Sequence, residues 1–184
     1  MKRIQIRYAL QDAFDNETLL DIRRKRDDFN WCGFVVGLSE EWILLNVLDT
    51  NTMQMNGYSA ILLKDIEKVR EEKDAPSVAL RLRGISPAQQ PDILLIDLPG
   101  LLSSADAHFP LVTIHIEDKD PDVCYIGRVL RTSRRKVTLR RIDRRAIWLE
   151  SKKYEFGDIT RVDFGDGYAR ALHEVEQLRR QEKS

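Results

Sequence analysis

The chain has little cysteine, no excess of charge of either sign and no long hydrophobic run. Two cysteines in 184 residues, Cys32 and Cys124, cannot build a disulfide framework. Each sits in an apolar run, where a reduced thiol behaves as a small hydrophobe. Thirty Lys+Arg balance thirty Asp+Glu, for a formal net charge of zero and a pI near 6.8. That balance excludes a surface that is basic throughout, as expected of a protein coated in nucleic acid. No segment approaches the roughly 20 apolar residues needed to span a bilayer. The start, Met1-Lys2-Arg3-Ile4-Gln5-Ile6-Arg7, lacks the uninterrupted apolar stretch of a secretory signal. A soluble, cytoplasmic protein with no membrane partner is the expectation.

What the chain does have is enough hydrophobic residue, 42%, to bury a core, and a densely ionic surface with 33% charged residues. Its length suits one large domain or two small ones. An internal repeat points to two. Gly33 and Gly127 lie 94 positions apart in similar surroundings. At that offset Asp12-Ala13 falls on Asp106-Ala107, Ser39 on Ser133, Leu45 on Leu139 and Asp49 on Asp143. The apolar alternation matches as well: Phe29, Trp31 and Val35 fall on Val123, Tyr125 and Val129. Upstream, Thr18, Leu20 and Ile22 fall on Val112, Ile114 and Ile116. After a later loop the offset becomes 93, placing Asp65-Ile66 on Asp158-Ile159 and Val69 on Val162. A one-residue slip would turn every side chain to the other face, so a register kept over several segments argues for duplication.

Each repeat reads as five strands with period-2 alternation and short polar turns. In the first they cover residues 18–23, 29–38, 42–48, 58–63 and 67–70, with a kink at Lys64-Asp65-Ile66. The second copy runs from 111 to 164. Such strands suit an antiparallel closed sheet, which removes exposed edges. A short helix is expected before each barrel, at 10–14 and at 97–108, the latter capped by Asp97 with Pro99 in its first turn. Residues 74–83 read as a helix ended by Gly84. Pro87-Ala88-Gln89-Gln90-Pro91 reads as a linker, and 92–96 as a strand or the approach to the next helix. The clearest helix is 168–180, capped by Asp166, with Ala171, Leu172, Val175 and Leu178 as one apolar stripe. The expected organisation is a first repeat over 1–73, a helix and linker over 74–97, and a second repeat with the C-terminal helix over 98–184. The fold class is mainly β with flanking α.

A short helix, five bent antiparallel strands and a tight kink before the last strand resemble the Sm-like small barrel. The carrying residues are Leu63-Lys64-Asp65-Ile66-Glu67-Lys68-Val69 and Phe156-Gly157-Asp158-Ile159-Thr160-Arg161-Val162. Phe109-Pro110-Leu111-Val112-Thr113-Ile114-His115, Tyr125-Ile126-Gly127-Arg128, Gly33-Phe34-Val35-Val36 and Glu41-Trp42-Ile43-Leu44-Leu45 are similar to an uncharacterised bacterial family of comparable length with two tandem Sm-like barrels. That resemblance implies a fold and no activity. The basic-Gly pair of RNA-binding Sm proteins is replaced by Lys64-Asp65 and Gly157-Asp158. The loops matching their base-stacking loops carry Asp49-Thr50-Asn51-Thr52 and Asp143-Arg144-Arg145. The resemblance therefore carries no uridine pocket. Sm-like barrels also form rings by pairing strands between subunits, a contact that a tandem chain is expected to satisfy internally.

Candidate binding residues are mostly charged. Arg131, Arg134, Arg135, Lys136, Arg140, Arg141, Arg144 and Arg145 crowd one hairpin, enough cations to neutralise several phosphates. Trp148 is the one aromatic nearby, so base stacking has little support. Loops equivalent under the repeat carry opposite signs: Glu40-Glu41 against Arg134-Arg135, and Arg23-Arg24-Lys25-Arg26 against Glu117-Asp118-Lys119-Asp120. Complementary loops predict an interface, within or between chains, that uses Arg23, Arg24, Arg26, Glu40, Glu41, Glu117 and Asp118. His108, His115 and His173 are scattered, and His115-Ile116-Glu117 supplies too few ligands for a metal. Ser103-Ser104 lacks a nucleophile elbow, Asp163-Phe164-Gly165 lacks the rest of a kinase, and no phosphate-binding Gly loop occurs. Trp31, Trp42 and Trp148 are assigned to core or interface. The reading is a non-enzymatic interaction module with no cofactor and no small-molecule substrate. Its expected partner is a protein or a second copy, and RNA at the basic hairpin is the alternative.

Overall fold

A computed structural model describes residues 2–87 and 91–182. Ala88, Gln89 and Gln90 of the expected linker lie outside the described residues. The chain divides into two compact units, Met1–Pro91 and Asp92–Ser184.

Unit 1 contains α1 (Arg3–Asp15), β1 (Leu19–Arg24), β2 (Asn30–Leu38), β3 (Trp42–Asp49), β4 (Gln54–Leu62), a one-turn 3₁₀ segment (Leu63–Asp65), β5 (Ile66–Glu71) and α2 (Ala75–Leu82). Its strands are antiparallel in the order β5-β1-β2-β3-β4. Ile6, Leu10 and Ala13 form one face of α1, at the spacing of a helical stripe. They pack on Leu20, Ile22, Val35, Ile43, Leu45 and Ile61 of the sheet. Leu10, Ile22, Ile43, Leu45 and Ile61 are fully buried, each worth about 2 kcal/mol of hydrophobic transfer. The helix starts earlier than residue 10 because Ile6 completes that stripe. α2 ends in Gly84 at φ +62°, with the Ile85 N–H returning to the Leu80 carbonyl, an αL stop that glycine makes without strain.

Unit 2 contains α3 (Leu98–His108), β6 (Val112–His115), β7 (Cys124–Thr132), β8 (Lys136–Ile142), β9 (Trp148–Glu155), a 3₁₀ turn (Phe156–Asp158), β10 (Arg161–Phe164) and α4 (Gly167–Gln181). The order is β10-β6-β7-β8-β9, again antiparallel. The Asp97 side chain accepts from the Gly100 N–H at 2.7 Å, and Asp166 accepts from Ala169 at 2.9 Å, so both helices begin on the expected caps. Residues 92–96 form neither helix nor strand; Ile93 and Leu95 are buried while Leu94 and Ile96 are exposed.

The two units share local devices at matching positions. The ladder slips between Val35 and Gly37 in unit 1 and between Val129 and Arg131 in unit 2, and again at Asn46/Leu48 and Arg140/Ile142. These bulges bend the strands. The Leu63 N–H donates to the Glu41 carbonyl, and the Phe156 N–H to the Arg135 carbonyl, which pins each 3₁₀ turn to the preceding hairpin. Met53 and Ala146 both stand at positive φ, 54° and 55°.

Three expectations change. The sheets are not closed: β4 and β5 lie at opposite ends of the unit 1 order, and β9 and β10 at opposite ends of the unit 2 order. The 3₁₀ turn redirects the chain so that β5 pairs with β1, and β10 with β6, rather than with the strand just before it. The first strands match at an offset of 92, not 94, because Gly33 pairs with Leu20 whereas Gly127 pairs with Val112. Two extra residues lie in the connection from β6 to β7. Finally, Cys32 is buried, with burial pushing its thiol up to about 12, whereas Cys124 is exposed at the start of β7 rather than lodged in a core.

A Cβ on Gly33 would collide with the Asn46 carbonyl oxygen, and one on Gly127 with the Arg140 carbonyl oxygen. Gly157 faces open space. Gly33→Ala and Gly127→Ala should therefore each lower stability by about 1–3 kcal/mol in urea unfolding. Gly157→Ala should stay within about 0.5 kcal/mol of the wild type.

Candidate functional site

The eight cations of the expected basic hairpin do not form one patch. β8 runs about 20 Å from Lys136 to Ile142, at about 3.3 Å per residue, and separates them into two groups. Arg131, Arg134 and Arg135 are exposed at the turn from β7 to β8, where Lys136 pairs with Glu155 at 2.6 Å. Arg140, Arg144 and Arg145 are exposed at the opposite end, around the turn from β8 to β9. Arg141 is half-buried beside the phenol of Tyr154, which burial pushes up to about 12.

That second end gains partners from α4 that sequence reasoning did not assign. The Trp148 indole N–H donates to Glu176 at 2.8 Å, and Arg180 pairs with the same carboxylate oxygen. The Arg140 guanidinium stands 4.9 Å from the centre of the Trp148 ring, and Arg179 donates to the Arg145 carbonyl. Asp143 shapes the turn: its side chain accepts from the Ile147 and Arg145 N–H groups, each at 2.9 Å, and those bonds hold its carboxyl below the usual range. Burial raises the pKa of Glu176, but the bonds from Trp148 and Arg180 outweigh it and hold the carboxyl below its ordinary value. Between α4 and the turn lies a cleft of about 600 Å³ lined by Arg140, Trp148, Arg179 and Arg180.

The Trp148–Glu176 bond also sets the rotation of α4. Its buried residues are Ala169, Leu172 and Glu176. Of the expected apolar stripe, only Leu172 is buried: Val175 is 42% exposed, Leu178 59%, and Ala171 is exposed. With Tyr168, 55% exposed, they form a second apolar stripe on the outward side. A carboxylate at 176 was the missed signal, since it gives the half-buried indole an acceptor.

Most residues of the expected charged interface are engaged within their own unit. Arg24 is fully buried and pairs with Asp27 at 3.1 Å; Arg26 pairs with Asp65 at 3.0 Å; Arg23 donates to the Asp28 carbonyl at 3.1 Å. Glu117 pairs with Arg161 at 3.0 Å, and Lys119 with Asp158 at 2.6 Å. Glu40, Glu41 and Asp118 are exposed. His115 bonds Asp163 at 2.7 Å and lies against Arg161, while His108 contacts the Ser104 carbonyl. Among the described residues no His, Cys, Asp and Glu group could hold a metal ion, and no helix is long and apolar enough to cross a membrane. Trp42 is buried, and the Trp31 indole donates to Asp27 at 2.6 Å.

No protein family, curated protein or solved structure matches the chain.

Because the Glu176 carboxyl is held below its ordinary value of 4.5, its charge contributes stability above that value. The contribution is lost as pH falls through the folded-state pKa. Glu176→Gln should cost about 1–2 kcal/mol at neutral pH and remove this part of the acid destabilisation, as read by urea unfolding between neutral pH and pH 3.

Proposed function

We propose that the protein is a duplicated Sm-like chain that serves as a non-enzymatic interaction module in the cytoplasm and pairs with a second copy of itself through the outward face of α4. Duplication is supported by the matched bulges, the paired positive-φ residues and the two glycines set against equivalent carbonyls. The Sm-like assignment is supported by a helix followed by four bent strands, a 3₁₀ turn and a fifth strand in each unit.

The observation that carries the pairing is the stripe of Tyr168, Ala171, Val175 and Leu178. Its 3-4-3 spacing is that of the apolar seam of a two-helix coil. Charge decides the direction. In a parallel pair, Glu174 would lie beside Arg179 of the second copy, five residues further along that helix. An antiparallel pair would set Glu174 against Glu174 and Arg179 against Arg179. With most of the expected interface charges engaged inside their units, an apolar seam flanked by complementary charges is the better-supported contact.

Sedimentation equilibrium across a concentration series tests this reading. The wild type should dimerise, and Val175→Glu with Leu178→Glu should be monomeric while keeping its helical signal. Glu174→Arg should weaken the dimer about tenfold, two symmetric pairs at about 0.7 kcal/mol each, and Glu174→Arg with Arg179→Glu should restore it. A monomer at every concentration, or a dimer indifferent to these changes, would refute the pairing.

A further inference from the structure

We propose that unit 1 binds a single phosphate group, free or as a monoester on a small molecule, on the sheet face opposite α1. Leu20, Ile22 and Val69 pack in the core with α1. Alternation therefore turns Asp21 and Arg23 of β1, and Lys68 and Arg70 of β5, to the other face. Register sets them in two rows. Lys68 and Asn30 flank Arg23 on the neighbouring strands, and Arg70 stands opposite Asp21. These five residues line a cleft of about 250 Å³. Sites for drug-sized ligands span about 300–1,000 Å³, so this one suits a compact anion.

The acid in this lining is already answered. Asp21 is buried and accepts from Arg70 Nε at 2.6 Å and from the Asn30 amide at 3.1 Å, and a second Arg70 nitrogen closes on the same carboxylate. Glu72 and Asp74 also act on Arg70, so that residue is assigned to the acids and not to the ligand. Two cations remain. Arg23 is half-buried and donates to the carbonyl of Asp28 at 3.1 Å, which holds the guanidinium in place and leaves N–H donors for an anion. Lys68 makes no hydrogen bond or ion pair among the described residues. The Asn30 amide keeps a second N–H. Two positive charges beside a neutral donor match a phosphate dianion better than a carboxylate. Unit 2 provides the contrast. In its matching register, His115, Arg161 and Asp163 stand where unit 1 has Arg23, Lys68 and Arg70. There Arg161 pairs with Glu117 and Asp163, and His115 bonds Asp163 at 2.7 Å. The same framework is satisfied internally in unit 2 and keeps cations for a ligand in unit 1.

The test is an NMR titration of isotope-labelled protein with inorganic phosphate at fixed ionic strength, read at the Asn30 side-chain amide. Its shift should saturate. Lys68→Gln and Arg23→Gln, each removing one charge-assisted bond, should each weaken binding about tenfold. Lys68 is exposed, so its variant keeps the fold. Arg134→Gln with Arg135→Gln, which removes exposed cations of unit 2, should leave binding within about twofold. Glycerol phosphate binding more tightly than inorganic phosphate would assign the site to monoesters, and the reverse order to free phosphate. Absence of a saturable shift with either compound would overturn the proposal. So would acetate binding as tightly as phosphate, a Lys68→Gln protein that binds like the wild type, or an equal loss in the unit 2 variant.

Discussion

The hydrogen bond from the Trp148 indole to Glu176 is the constraint on which the outward surface of α4 depends. A half-buried indole needs an acceptor, and the face of α4 that supplies Glu176 also turns Ala169 and Leu172 inward. The rest follows from helical geometry. Val175 and Leu178 rotate outward, and Arg179 and Arg180 are carried over the turn that holds Arg145. A fully apolar residue at 176 could have buried the helix, but it would have left the indole unsatisfied.

The two units put the same topology to different physical use. Unit 1 closes its interior with Val47 and Ile61 packed into an apolar cluster with α1. The matching positions of unit 2 hold Arg141 and Tyr154, and Tyr154 stacks with Tyr125 at 4.8 Å under the Lys152 ammonium. Asp27 accepts from Trp31 in unit 1, and Asp120 accepts from Tyr125 at 2.6 Å in unit 2. Polar groups have entered the second interior, where the Tyr154 hydroxyl and the Arg141 Nε lie buried without a hydrogen-bond partner among the described residues. Unit 2 therefore carries the larger number of cations, 17 of the 30, and unit 1 the more continuous apolar core.

Strand positions were legible because alternation reports which face is buried, and the helix caps were legible because Asp97 and Asp166 act locally. Closure was not, since whether the last strand returns to the first or to its predecessor depends on the direction set by a three-residue turn. The 92-residue offset was hidden because Thr18, Leu20 and Ile22 alternate just as well against residues two positions further on. Only the pairing of Gly127 with Val112 distinguishes the registers. The basic hairpin misled because proximity in sequence along a strand is distance in space: Arg134 and Arg144 lie at opposite ends of β8. The rotation of α4 was illegible because hydrophobicity alone favours Val175 over Glu176 for burial. A single hydrogen bond reverses that preference.

Thiol labelling along α4 tests this rotation most directly. In a Cys124→Ser background, where the remaining Cys32 is buried, cysteines introduced one at a time at 172 and 178 are compared for their rate of reaction with a small thiol reagent. At low protein concentration the cysteine at 178 should react fast and that at 172 slowly, and raising the concentration should slow the reaction at 178. A fast reaction at 172 with protection at 178 at every concentration would place the Val175–Leu178 side inward and contradict the account.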